Sequence, residues 1–123
     1  MKNWWMLFLL MVFFLGTCGR KKQIEGFDSD KWIADKMACQ EQRSEMRKDL
    51  LRIKYKLRGL NTDEIEDVLG KPDAQELYRR NQKYYIYYLE PAPECDTYQD
   101  QTTKVYIRFT AVGIAHEITF REE

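Results

Sequence analysis

Four side chains in this 123-residue chain offer thiol or imidazole chemistry: Cys18, Cys39, Cys95 and the sole histidine, His116. Two cysteines and one distant histidine lack the close ligand spacing of a zinc site, so no metal is expected. His116 falls on the apolar side of a predicted strand. A hydrogen-bonded core histidine is the expected reading there, ahead of a general base. Asp28-x-Asp30 begins like a calcium loop, but Cys39 stands at the twelfth position, where such a loop needs Glu. There is no glycine-rich phosphate loop and no carboxylate pair set apart from helix surface charge. Acid–base or nucleophilic catalysis therefore has no group to start from. The expectation is a protein that is not an enzyme, with no catalytic residues and no small-molecule cofactor. Basic and acidic residues balance at 20 each. With no broad basic field, nucleic acid is not an expected partner.

Cys18 has a context that the other cysteines lack. Met1-Lys2-Asn3 is a short positive start, and Trp4 to Leu15 is an unbroken apolar run. As a helix that run rises only about 18 Å, well short of a hydrocarbon core of roughly 30 Å. A positive start, a short apolar stretch and a small-residue exit are the anatomy of a signal peptide, here 1–17. Leu15-Gly16-Thr17-Cys18 resembles the lipobox of bacterial lipoproteins. That resemblance implies cleavage between Thr17 and Cys18 and covalent lipid on Cys18. Two or three acyl chains anchor durably, whereas one binds only marginally. Gly19 after the cysteine implies delivery to the outer membrane under the enterobacterial sorting rule, with the domain facing the periplasm. Residues 18–27 then form the lipidated cysteine and its tether. An oxidising periplasm permits Cys39 and Cys95 to pair. A bridge between them would close a loop of about 57 residues, worth roughly 2–4 kcal/mol in the chain-entropy model. Two buried thiols are the alternative.

The elements that position these residues fall into a helical half and a strand-rich half. Asp28-Ser29-Asp30 supplies N-cap candidates before Trp32 and Ile33, and neither Gly nor Pro intervenes before Leu57. Met46, Leu50, Ile53 and Leu57 form one helical face. The polar run Gln40 to Glu45 predicts a bend or a partly solvated stretch. Asn61 and Glu64 have capping-box spacing, Ile65, Val68 and Leu69 form a buried face, and Gly70 suits the C-cap. Three strands are expected next: 84–89, 104–109 and about 114–121. A Pro-rich loop follows the first of them, with a polar, mobile run to Thr103. Val105, Ile107 and Phe109 face one way and Lys104, Tyr106 and Arg108 the other. Ile114, His116, Ile118 and Phe120 share the next apolar face. The fold class is α+β: two N-terminal helices packed on a three-stranded antiparallel sheet, over 28–123.

The order of parts carries a resemblance. Gly59-Leu60-Asn61-Thr62-Asp63-Glu64-Ile65-Glu66-Asp67-Val68-Leu69-Gly70-Lys71-Pro72-Asp73 resembles the hallmark of the BamE (SmpA/OmlA) superfamily, with Asn61 where Thr is usual. Members are typically small outer-membrane lipoproteins with a three-stranded antiparallel sheet, and the founding member assists insertion of β-barrel proteins. The resemblance covers Leu57 to Phe120. It implies a lipid-anchored accessory factor with an envelope protein partner. The candidate partner-binding face is the polar side of the sheet: Tyr85, Tyr87, Lys104, Tyr106 and Arg108. Tyr and Arg are the residues favoured at interface hot spots, although an ordinary solvated sheet face would have the same composition. In the other register of the first strand, Tyr84, Ile86 and Tyr88 face outward. The alternative function is a binding or inhibitory module that sequesters a soluble periplasmic enzyme or ligand.

Overall fold

A computed structural model describes residues 20–123 of the chain. The expected signal peptide, its cleavage site at Thr17 and the lipidation site Cys18 lie outside the described residues. Helical pieces come first: α1 (Ser29–Ala34), a 3-10 turn (Lys36–Ala38), α2 (Gln42–Glu45), α3 (Arg47–Leu57) and α4 (Thr62–Leu69). Four strands follow: β1 (Ala74–Tyr78), β2 (Gln82–Tyr88), β3 (Thr103–Phe109) and β4 (Ala115–Glu122). They form one antiparallel sheet in the order β1-β2-β3-β4. The helices lie on one face, giving the expected two-layer α+β domain.

The long first helix is instead broken into pieces. Asp28 caps α1 as expected, its carboxylate accepting from the Lys31 N–H at 3.2 Å. The chain then turns at Met37, Ala38 and Glu41, all at positive φ. The cause lies in the polar run itself. Asp35 is buried and accepts from the N–H groups of Gln40 (2.8 Å) and Arg43 (3.1 Å). The second bond satisfies an amide in the first turn of α2 that a helix end leaves unpaired, and the first holds the turn before it. Beyond the break, Met46, Leu50, Ile53 and Leu57 bury the face their spacing predicts. In α4 the capping box is complete: Asn61 Oδ1 accepts from Glu64 N–H at 2.9 Å, and Glu64 Oε1 from Asn61 N–H at 3.2 Å.

The sheet has four strands, not three. Ala-Gln-Glu-Leu-Tyr in β1 has no apolar alternation and every residue is exposed, so burial does not make this strand. The ladder to β2 makes it, from Ala74 opposite Ile86 to Tyr78 opposite Gln82. The expected placement of His116 is corrected too. A bulge between Arg108 and Phe109 pairs Phe109 with Ala115 and Arg108 with Glu117. His116 is the extra residue and is exposed, while Ala115 and Ile118 take the buried positions. One added residue inverts the faces on one side of a bulge.

One core fills the space between the layers. Trp32, fully buried, packs against Phe27 (5.8 Å between ring centroids) and Tyr87 (6.5 Å). Ile24 and Phe27 also belong to this core, so the packed unit extends into the stretch expected to be tether. The Lys22 N–H donates to Asp67 at 3.0 Å. The β2–β3 loop, expected to be mobile, is pinned. Cys39 and Cys95 are joined by a disulfide, Ala92 N–H donates to Met37 O at 3.1 Å, and Thr97 Oγ1 donates to Cys39 O at 2.9 Å.

Candidate protein-binding face

Strand pairing decides which side chains meet on the outer side of the sheet. Tyr84 stands opposite Arg108, Ile86 opposite Tyr106 and Tyr88 opposite Lys104. Across β3, Lys104 faces Arg121, Tyr106 faces Thr119 and Arg108 faces Glu117. In β1, Glu76 faces Tyr84 and Tyr78 faces Gln82. Lys104, Tyr106 and Arg108 therefore lie on the outer face. Tyr85 and Tyr87 do not. Tyr85 is buried against Phe109 at 4.7 Å between centroids. Tyr87 is fully buried, and its hydroxyl donates to Gly70 O at 2.8 Å. Burial pushes that phenol far above its ordinary pKa. Every second residue of Tyr-Tyr-Ile-Tyr-Tyr-Leu is apolar enough for a core. The deciding factor is the space beneath Tyr87, beside Trp32 and the α4 C-terminus. The register with Tyr84, Ile86 and Tyr88 outward is the one adopted.

The outer face is an ordered lattice of rings and cations. Tyr84 meets Tyr78 edge-on at 5.4 Å and Tyr106 at 5.8 Å between centroids. The Arg121 guanidinium lies 4.2 Å from the Tyr106 centroid and 5.6 Å from that of Tyr84. Arg108 lies 5.8 Å from the Tyr78 centroid and pairs with Glu117 at 3.0 Å. Beneath this cover Tyr106 is only 3% exposed. Its hydroxyl donates to Glu123 Oε1 at 3.1 Å. Lys104 Nζ donates to Glu123 Oε2 at 2.9 Å and sits 5.4 Å from the Tyr88 ring. The shared hydrogen bond raises the Lys104 pKa and lowers that of Glu123. Burial, and then the bond to Glu123, raises that of the Tyr106 phenol. Glu123 and Tyr78 were not legible as members of this face. Glu123 trails the last alternating strand, and Tyr78 sits in the strand with no pattern. Arranged in this way, the face offers stacking surface, directed cations and phenol oxygens to a partner.

A second cluster holds the layers together. Arg43 is 1% exposed. Its Nη1 donates to Asp73 Oδ2 at 2.7 Å and to Tyr88 O at 3.2 Å, and its Nε donates to Trp32 O at 2.9 Å. Asp73 also accepts from the N–H groups of Tyr88 (2.9 Å) and Met37 (3.3 Å). The Trp32 ring centroid lies 4.7 Å from the guanidinium carbon. Every bond in this set joins structural elements, which makes it a brace for the sheet. His116 is exposed on the β4 bulge, away from any gathering of acids. Among the described residues, no three His, Cys, Asp or Glu side chains are placed to hold a metal. No described helix is long and apolar enough to cross a membrane.

Comparison with protein families matches residues 54–119, more than half of the chain, to the outer membrane protein assembly factor BamE domain. The match runs from the end of α3 into β4, takes in the outer-face residues of β1 to β3 with Glu117 and Thr119 of β4, and stops before Arg121 and Glu123. Comparison with curated proteins and with solved structures finds no match.

Proposed function

The chain belongs to the BamE domain family, and on that premise we propose that it is a lipid-anchored, non-enzymatic accessory factor of outer-membrane protein assembly, holding an envelope protein on the outer face of its sheet. In this reading 1–17 is removed, Cys18 carries the lipid, and the domain faces the periplasm from the outer membrane. The observation that carries the reading is the Tyr78–Tyr84–Tyr106 row interleaved with Arg108 and Arg121. Tyr and Arg provide area, stacking and hydrogen bonds together. Here their rotamers are already fixed by one another, so binding would cost little side-chain entropy.

Two measurements test it. Crosslinking in intact cells, followed by purification of the full chain, should recover an envelope protein. A hot-spot loss of about 2 kcal/mol weakens binding roughly 30-fold, so Arg108→Glu should lower recovery several-fold, and Tyr106→Ala should do so by removing the buried ring on which Tyr84 and Arg121 are ordered. Undiminished recovery from both folded variants would rule out this face. For the anchor, the wild type should incorporate labelled fatty acid and fractionate with membrane, and Cys18→Ser should do neither. Unlabelled wild type with membrane-bound Cys18→Ser would rule out lipidation.

A further inference from the structure

The folded unit starts very close to the residue proposed to carry lipid. Four peptide links separate Cys18 from Lys22. The Lys22 N–H is held by Asp67 of α4 at 3.0 Å, and Ile24 and Phe27 are buried in the core. Whatever path the intervening residues take, such a leash reaches at most about 14 Å. A domain of about 100 residues has a radius of gyration near 13 Å, so it is roughly 30 Å across. A leash this short keeps the side from which it leaves near the membrane and denies the far side any contact.

That side belongs to the helix layer. Lys22 and Ile24 line a shallow hollow with Tyr55, Lys56 and Arg58 at the end of α3. The exposed residues of α3 are Arg47, Lys48, Leu51, Arg52, Tyr55 and Lys56, with no acid among them. Leu51 is 50% exposed and Tyr55 69%, one turn apart on the same side of the helix. Asp49, the single acid of α3, is half-buried and pairs with Arg52 at 3.2 Å. Arg20, Lys21 and Lys22 add exposed cations on the leash itself, against Glu25. The neighbouring α4 has the opposite character, with Asp63, Glu64, Glu66 and Asp67 and no base. Charge therefore tips the domain onto α3 at an anionic surface. Cations whose stems flank exposed Tyr and Leu suit the boundary between lipid phosphates and acyl chains.

We propose that the exposed side of α3 lies on the headgroup layer of the membrane that holds Cys18, with its cations on lipid phosphates and Leu51 and Tyr55 at the acyl boundary. This pose rests on lipidation of Cys18. It turns the outer face of the sheet, beyond both layers, away from the membrane and leaves it open to a partner.

The test uses the lipidated full chain in vesicles of phosphatidylcholine and phosphatidylserine. Bimane is attached in turn at Leu51→Cys, at Tyr55→Cys and, on the outer face, at Glu76→Cys, and a nitroxide on the lipid headgroups quenches it. Leu51→Cys and Tyr55→Cys should be quenched several-fold more than Glu76→Cys. Inserting a long Gly-Ser spacer before Arg20 should lower that excess several-fold, and so should Lys48→Glu with Lys56→Glu at the native leash length. All the substituted sites are exposed, and neither lysine belongs to an ion pair among the described residues. These variants should therefore keep the wild-type melting temperature, measured alongside. A chain that takes up labelled fatty acid and floats with the vesicles, yet is quenched equally at Tyr55→Cys and Glu76→Cys, would overturn the pose and leave the anchor standing. An excess indifferent to both the spacer and the charge reversal would do the same. A chain that takes up no fatty acid would overturn the anchor and the pose together.

Discussion

Arg43 and Asp73 show what a single buried pair does in a small domain. Each side chain is almost wholly out of water, and they meet at 2.7 Å. Desolvating two charges is costly, and the attraction between them repays it only when the remaining donors and acceptors are filled. Here they are, by Trp32 O, Tyr88 O and the N–H groups of Met37 and Tyr88. Removing one partner leaves the other charged and buried. Arg43→Ala or Asp73→Ala should therefore cost about 3–5 kcal/mol in urea unfolding. Arg43→Ala combined with Asp73→Ala should cost less than the two single losses together, because no charge is stranded. A double-mutant cycle with purely additive losses would show that the pair acts as two separate hydrogen-bonding residues. This brace was not legible in the sequence. Arg43 sits in the run Gln-Glu-Gln-Arg-Ser-Glu, which has the composition of a solvated helix face. Its burial depends on an acid thirty positions away, and no local pattern encodes that.

At the scale of elements, local encoding and legibility go together. The α4 unit was read correctly from sequence because its cap, buried face and stop all lie within ten residues of one another. The stop is also a packing point. Gly70 has φ +77°, and a Cβ there would come within 2.9 Å of Ile33 Cγ1. Its carbonyl also receives the Tyr87 hydroxyl. Both backbone strain and overpacking oppose a side chain at this position. Gly70→Ala should destabilise the chain by at least about 2 kcal/mol in chemical denaturation. In an Ile33→Ala background the same substitution should cost less, because both Cγ atoms that the new Cβ would meet are gone and the φ penalty is left. An unchanged midpoint in Gly70→Ala would mean that α1 does not pack this tightly on the turn. The misread elements are those set by distant partners. β1 exists because β2 templates it, α1 to α3 are separated by the demands of Asp35 and Arg43, and the β4 bulge moves His116 out of the core. The outer face was half legible for the same reason. Period two in β3 placed Lys104, Tyr106 and Arg108, whereas the near-uniform aromatics of β2 left the choice of side to tertiary packing.

For the molecule as a whole, the family match begins at residue 54, so α1, α2 and the Cys39 side of the disulfide lie before it. That N-terminal segment is nevertheless built into the domain. Trp32 fills the core beside Tyr87, Arg43 braces Asp73, and the disulfide ties the 3-10 turn to the β2–β3 loop. Two of these links reach the end of β2, from which Tyr88 points to the outer face. Stability and the order of the candidate binding face are thereby coupled. Breaking the disulfide removes a constraint on the unfolded chain worth about 2–4 kcal/mol, if the chain-entropy account holds here. It should also loosen the loop locally, since Ala92 and Thr97 make their bonds next to the bridge. The joint variant Cys39→Ser/Cys95→Ser should therefore melt at a lower temperature. It should also exchange the Ala92 and Cys95-position amides faster than global unfolding accounts for, while amides of the β3–β4 ladder follow global stability alone. If the bridge acted only on the unfolded chain, all these amides would accelerate together. A faster loop with an unshifted ladder would instead identify the disulfide as the clamp that holds the N-terminal segment against the sheet.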